Sequence, residues 1–286
     1  MRNKFLVTGG TGKTGSRLAK LLRASGHCPL VATRNPDSSD QVRLDWADSA
    51  TYEAALDGVK AIYLVAPANV PEPLTAMQPF IDRAIASGVE RFVLLSASSL
   101  EEGGPMMGAV HRYLHEQAPS WFVLRPTWFM QNFSEQQHLP TIRDEHAIYS
   151  ATDDGRVPFI DADDIAAVAA VALTDPAMPN GDAILTGPRS LSYDEVAEVL
   201  SDALGITIIH QKLSEKDLAG RIQSGGLSRI YAELLAAMDT AIAAGGEDRL
   251  TDSVVVLTGK TPRDLTGFVA RNIERWKTPQ TVRGSS

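Results

Sequence analysis

Apolar positions in this chain change their period as the sequence advances. Short, nearly unbroken apolar runs occupy residues 5–7, 28–32, 42–44, 59–66, 91–97 and 121–124, and between them apolar residues recur at helical spacing, as Leu18, Leu21 and Leu22 do. An unbroken run suits a strand covered on both faces of a parallel sheet, and the helical stretch after it is the crossover to the next strand. The pattern predicts helices over 13–25, 49–56, 73–87 and 106–117, with Gly26, Gly58 and Gly88 placed to end the first three. Asp48 or Ser49 is a suitable cap for the second. Later the rhythm changes, with a strand at 146–149, a helix at 163–173 and a strand at 182–186. Helices then dominate, at 193–204, 215–223, 227–243 and 263–276, with one strand at 206–210. The expected fold class is α/β, a doubly wound parallel sheet with a smaller helix-rich C-terminal lobe.

The first strand, turn and helix carry the clearest chemistry, in the segment FLVTGGTGKTG over residues 5–15. Its glycines follow the spacing Gly-x-x-Gly-x-x-Gly. Gly9 permits a sharp turn, Gly12 lets backbone N–H groups approach a pyrophosphate, and Gly15 lets the helix lie close to the strand. Thr11, Lys13 and Thr14 belong to the same turn. A strand before it, a helix after it and the alternating run that follows mark a dinucleotide site of Rossmann type rather than a plain turn. A site for NAD is expected to carry an acidic residue about 20 positions further on, to hold the ribose 2′-hydroxyl. Here Arg34 stands there, followed by Asn35, Ser38 and Ser39, which favours the 2′-phosphate of NADP(H), and Lys13 would add charge on the same side. The plainer alternatives are a solvated loop for Arg34 and a surface helix for Lys13.

Other strand ends complete the expected cofactor set. Asp45 and Trp46 are expected near the adenine, unless Asp45 caps its turn and Trp46 packs. The run 59–66 ends in Ala66, Pro67 and Ala68, which should pass the cofactor, while Tyr63 within it reads as core. The run 91–97 brings Ser96, Ser98 and Ser99 to the same edge. The expected organisation is a dinucleotide-binding domain over 1–150, its sheet completed by parts of 151–190. A mixed, mainly helical substrate lobe over 151–277 and a disordered polar tail over 278–286 follow.

Composition narrows the partners. The 286 residues are 44% hydrophobic and 22% charged, enough for a sizeable core without covalent staples. A net charge of −8 with no basic cluster argues against nucleic acid and against anionic membranes. Cys28 is the only cysteine, so there is no disulfide and no cysteine metal site. With no signal-like segment and no apolar run of membrane-spanning length, a cytoplasmic protein acting on a small molecule is expected, its oligomeric state open. His111 and His115 lie one helical turn apart, but no third ligand is in view, and they read as a solvated helix face with no metal. Asp161, Asp163 and Asp164 read mainly as helix-start residues, with Asp163 as the cap; Asp161 is also a candidate carboxylate facing a cationic substrate.

The order of elements and the glycine turn resemble the extended short-chain dehydrogenase/reductases over nearly the whole chain. Those enzymes use a tyrosine assisted by a lysine four residues later, and none of the six tyrosines here is followed by lysine at that spacing. In the segment where the resemblance places the pair stand Gly103 and Met107. The chain is more similar to the atypical NmrA-like branch. Its segments LVAPA (64–68), GPMMGAVHRYL (104–114) and LRPTWFMQNF (124–133) resemble the festuclavine and agroclavine dehydrogenases of ergot-alkaloid pathways. That resemblance implies hydride transfer from NADPH to an iminium carbon, which needs no proton donor. A quinone or activated alkene is the second acceptor class. Trp128, Phe129 and Phe133 are candidate walls of the substrate pocket, with Asn132 able to orient the acceptor. The branch also includes regulators that bind the dinucleotide without catalysis, so a redox sensor is the alternative of another class. An epimerase is disfavoured by the missing pair.

Overall fold

The computed structural model describes residues 4–68, 70, 72–135 and 137–277, so the tail expected at 278–286 lies outside the described residues. From the N-terminus run β1 (Lys4–Val7), α1 (Lys13–Ala24), β2 (Cys28–Thr33), β3 (Gln41–Arg43), α2 (Tyr52–Leu56), β4 (Val59–Leu64), α3 (Pro73–Ala86), β5 (Arg91–Leu95), α4 (Met107–Gln117) and β6 (Trp121–Pro126). Next come α5 (Gln131–Ser134), α6 (Leu139–Glu145), β7 (Ala147–Ser150), β8 (Arg156–Val157), α7 (Ala162–Thr174), β9 (Gly181–Leu185) and β10 (Leu191–Ser192). The remainder is α8 (Tyr193–Leu204), β11 (Ile209–Lys212), α9 (Glu215–Ser224), α10 (Arg229–Ala243), α11 (Ser253–Thr258) and α12 (Leu265–Asn272).

These elements form two compact units, and the chain passes between them repeatedly. Residues up to 127, 162–186 and 251–262 make the first unit; 128–161, 187–250 and 263 onward make the second. The boundary expected at 150 therefore falls inside the second unit. The physical reason is strand pairing: β7 pairs in parallel with β11 and takes no part in the main sheet. A return of 251–262 to the first unit leaves no mark in composition.

In the first unit seven parallel strands lie in the order β3-β2-β1-β4-β5-β6-β9. The order reverses between β1 and β4, the place where such sheets open a crevice at the carboxyl ends of their strands. Ile62, Leu64, Phe80, Phe92, Leu94 and Leu114 form part of a core in which α2, α3 and α4 pack on the sheet. Helix α1 buries Leu18, Ala19 and Leu22, and Arg17 on it reaches Asp163 of α7 at 2.9 Å. Asp163 is thus not the cap. The helix begins one residue earlier, at Ala162, and Asp163 sits in its first turn, where negative charge is favoured by the helix dipole.

The second unit is built on an aromatic core. Phe133, Phe159, Tyr193, Phe268 and Trp276 are all buried in it, and the Trp276 indole N–H donates to the Phe133 carbonyl at 2.8 Å. Helix α8 starts in a full capping box between Ser192 and Glu195 and ends at Gly205. Elsewhere the expected helices shorten to the nearest cap: α10 starts after Ser228 and α12 after Asp264, whose side chain accepts the Gly267 N–H at 2.7 Å. The expected strand 206–210 moves to β11, in register with β7. The short α5, α6, α11, β8 and β10 have too few residues to show a period.

Candidate functional site

The glycine turn shows why each residue type is needed. Gly9 has φ +59°, and a Cβ there would sit 2.9 Å from Val65 Cβ on the chain leaving β4. A Cβ on Gly15 would overlap the Gly9 carbonyl oxygen and lie 2.8 Å from Gly10 Cα, so α1 rests directly on the turn. Gly10, which the motif spacing leaves out, is equally confined: its Cβ would meet Val31 Cγ1 of β2 at 2.5 Å. Gly12 is the N-cap of α1, with no side chain capping it and no acidic residue in the first turn. The helix thus presents its first N–H groups and positive dipole end without a built-in anion, as a pyrophosphate requires.

The floor of this edge is fixed by two hydroxyls. Thr8 Oγ1 accepts the Val65 N–H at 2.7 Å and donates to the Tyr63 carbonyl at 3.0 Å, fastening the ends of β1 and β4 together. Thr14 is buried and its Oγ1 accepts the Tyr63 hydroxyl at 3.0 Å. Tyr63 is core, as its strand position implies, and burial pushes its phenol pKa well up. Thr11 and Gly12 are exposed, and Lys13 is half-buried at the start of α1.

Around the turn the remaining expected residues fall at the carboxyl ends of neighbouring strands. Arg34 follows β2, is exposed, and makes no ion pair within the described residues. Asp45 Oδ1 accepts the Ala47 N–H at 3.0 Å, so it closes its own turn, and Trp46 packs edge-on against Phe80 with ring centres 5.3 Å apart. Both are half-buried, so each keeps a face beyond these contacts. Ala66, Pro67 and Ala68 follow β4 as an open segment. Ser96 follows β5; its Oγ is buried and has no hydrogen-bond partner among the described residues. A buried hydroxyl left in that state is suited to a bound group at this edge. Below it Arg125 of β6 ties the β5 loop down, donating to the Ser98 carbonyl at 3.1 Å, to Glu101 at 2.6 Å and to Asp182 of β9 at 2.9 Å. The glycine cradle, the uncapped helix and the Ser96 hydroxyl together fit a dinucleotide.

The expectation that both histidines lie on a solvated helix face needs correction. His111 does not lie on a solvated face, because α4 turns it inward against Trp121; it is 2% exposed and burial lowers its pKa. His115 is on the exposed side, its Nδ1 2.9 Å from Glu102. No three potential ligand side chains among the described residues are grouped to hold a metal.

In the second unit the aromatic segment divides. Trp128 and Phe129 are half-buried, and their backbone pairs with Ile160. Phe133 is 1% exposed, stacked on His138 and edge-on to Phe159 and Tyr193, so its ring is part of the second unit's core. Asn132 is half-buried, its carbonyl accepting the His138 N–H. Asp161 does not face an open space either. It is 2% exposed and receives Gln131 Nε2 at 2.8 Å and Arg271 at 3.1 Å, with Arg263 at 3.9 Å. The neighbouring arginines lie far along the chain, so the sequence gives no hint of this pairing.

Comparison with known proteins agrees with this geometry. Residues 9–176 match the model of a family described as NAD(P)H-binding. The chain is 42% identical to an agroclavine dehydrogenase of Claviceps fusiformis, over 95% of this chain and 98% of that protein. It is 41% identical to an uncharacterized oxidoreductase of Bacillus subtilis, over 96% and 97% respectively. In fold it is similar to an NADPH-dependent quinone oxidoreductase of Escherichia coli solved with NADPH, at 22% identity and a TM-score of 0.80, over 94% of this chain and 99% of that one. With its own glycine cradle and these relatives, the chain belongs to the NAD(P)H-binding family that includes the agroclavine dehydrogenases, and it is an NAD(P)H-dependent oxidoreductase.

Proposed function

We propose that the protein is an NADPH-dependent reductase that delivers hydride to the carbon of a cyclic iminium ion. The observation that carries this reading is the state of its tyrosines. Reduction of a carbonyl needs a proton for the developing alkoxide, commonly from a tyrosine. Here the hydroxyls of Tyr52, Tyr63, Tyr113 and Tyr149 donate to Trp46 O, Thr14, Asp82 and Glu145, and Tyr193 is buried in the second unit's core. Tyr231 lies on α10, in the second unit. No tyrosine is followed by a lysine four residues on. An iminium accepts hydride at carbon and becomes a neutral amine, with no proton to move, so the protein's task reduces to binding, orientation and exclusion of water. The 42% identical relative named agroclavine dehydrogenase supports a dehydrogenase reaction.

When bound, the reduced nicotinamide supplies the hydride. The chain's own residues do the rest. Gly9, Gly12 and Gly15 shape the turn whose N–H groups would receive the pyrophosphate, and Arg34 would pair with the 2′-phosphate. The half-buried Trp128 and Phe129 offer ring faces to a flat cation, an attraction worth about 1–2 kcal/mol when water is excluded. Fluorescence titration with NADPH and NADH, followed in the same cuvette by cyclic iminium salts and quinones, tests the assignment. Tight NADPH binding with consumption on adding an iminium is expected. Consumption with quinones alone would replace the acceptor, and tight binding without any consumption would favour a sensor.

A further inference from the structure

Met106, in the loop from β5 to α4, is the only non-glycine residue with a positive φ among the described residues of the first unit. Met106 has φ +54° and ψ −121°, and the Gly108 N–H donates to the Pro105 carbonyl at 3.0 Å. Pro105–Gly108 is therefore a type II′ turn with methionine at its first central position, a place that glycine ordinarily takes because a Cβ is strained there. Glycine is abundant around it, at Gly103, Gly104 and Gly108, but not at the position that calls for it. The conformation is imposed from both sides. Gly103 N–H donates to the Gly108 carbonyl at 2.8 Å, and Arg125 pins the loop base through the Ser98 carbonyl and Glu101. Strain held this firmly is characteristic of positions where the side chain serves a bound molecule.

The position gives that molecule a class. The loop leaves the carboxyl end of β5, next to β4 in the half of the sheet beyond the reversal point, where a doubly wound sheet receives the second half of a dinucleotide. Met106 is half-buried, with a flexible, polarizable thioether suited to flat apolar or cationic rings. We propose that Met106 contacts the hydride acceptor and determines which acceptors are reduced, the turn being strained to keep its side chain there. This rests on the reductase reading above.

The test uses the full-length Met106→Gly and Met106→Leu proteins. Melting temperature, NADPH dissociation constant, and KM and kcat for a cyclic iminium salt and a para-quinone are measured on each. Met106→Gly relieves the backbone, so its melting temperature should rise while KM for the acceptor used by the wild type rises about tenfold and NADPH affinity stays unchanged. Met106→Leu keeps the bulk and should restore KM to within about twofold, without the gain in melting temperature. A higher melting temperature for Met106→Gly with unchanged acceptor KM would overturn the proposal while leaving the reductase reading intact. A wild type that binds NADPH yet oxidises it with no acceptor would overturn the reductase reading itself, and the proposal with it.

Discussion

Arg34 and Asp239 are single residues with opposite relations to charge. Arg34 stands exposed after β2 with no carboxylate partner among the described residues, a cation held available. Its reversal by Arg34→Glu should weaken NADPH binding by about tenfold to a hundredfold, on the order of 1–3 kcal/mol, and leave NADH binding little changed. Equal losses for both cofactors in fluorescence titration would remove the 2′-phosphate assignment. Asp239 on α10 is buried, accepts the Ala151 N–H at 3.0 Å, and desolvation raises its pKa to about 6. Because the folded state holds this proton more tightly than the unfolded chain, the group's contribution to stability falls as pH rises from about 4 to about 6 and is constant above. Asp239→Asn keeps the acceptor without the charge. It should stabilise the protein at pH 7 by about 2 kcal/mol and flatten the dependence of melting temperature on pH in that window. An unchanged pH dependence would show that Asp239 does not titrate there.

At the scale of elements, the strand–turn–helix at the N-terminus was legible because every part of it is local. Gly9, Gly12 and Gly15 are demanded by contacts within the turn or with the adjacent β4 exit. Gly10 was not, since its confinement by Val31 comes from a neighbouring strand. The same distinction explains Asp163, whose partner Arg17 lies on another helix, and His111, whose inward orientation depends on where β6 lies. The burial of Phe133 was not legible either, because an aromatic run carries no record of which rings a later helix will cover. Two alanine substitutions separate confined from free glycines. Gly15→Ala forces α1 off the turn and should cost about 2–4 kcal/mol of stability together with most of the NADPH affinity. Gly220→Ala, inside α9 with open space around its Cβ, should stabilise by about 0.5–1 kcal/mol without touching NADPH. Chemical denaturation with parallel NADPH titrations reads both, and a neutral Gly15→Ala would contradict the close seating of α1.

The whole molecule is two discontinuous units, and this was the part least visible in the sequence. Strand periods placed the main sheet, yet no composition change marks Thr127, and α11 returns to the first unit without a signal. Contacts distant in sequence join the second unit's first and last segments, among them Asp161 with Arg263 and Arg271. Asp161→Asn should therefore lower stability by about 1–2 kcal/mol, since the arginines are partly exposed, and should leave acceptor preference unaltered. A changed iminium-to-quinone rate ratio would instead return Asp161 to the substrate.

The central claim is hydride transfer to a cation without a proton donor from the protein, and one measurement addresses it directly. An N-alkylated cyclic iminium salt cannot lose a proton from nitrogen, so its single-turnover reduction by the NADPH-saturated protein reports hydride transfer alone. The account predicts one NADPH oxidised per amine formed, at a rate independent of pH from about 6 to about 9. A rate that follows the ionisation of a protein acid, or oxidation of NADPH by neutral carbonyl compounds but not by the iminium, would contradict it.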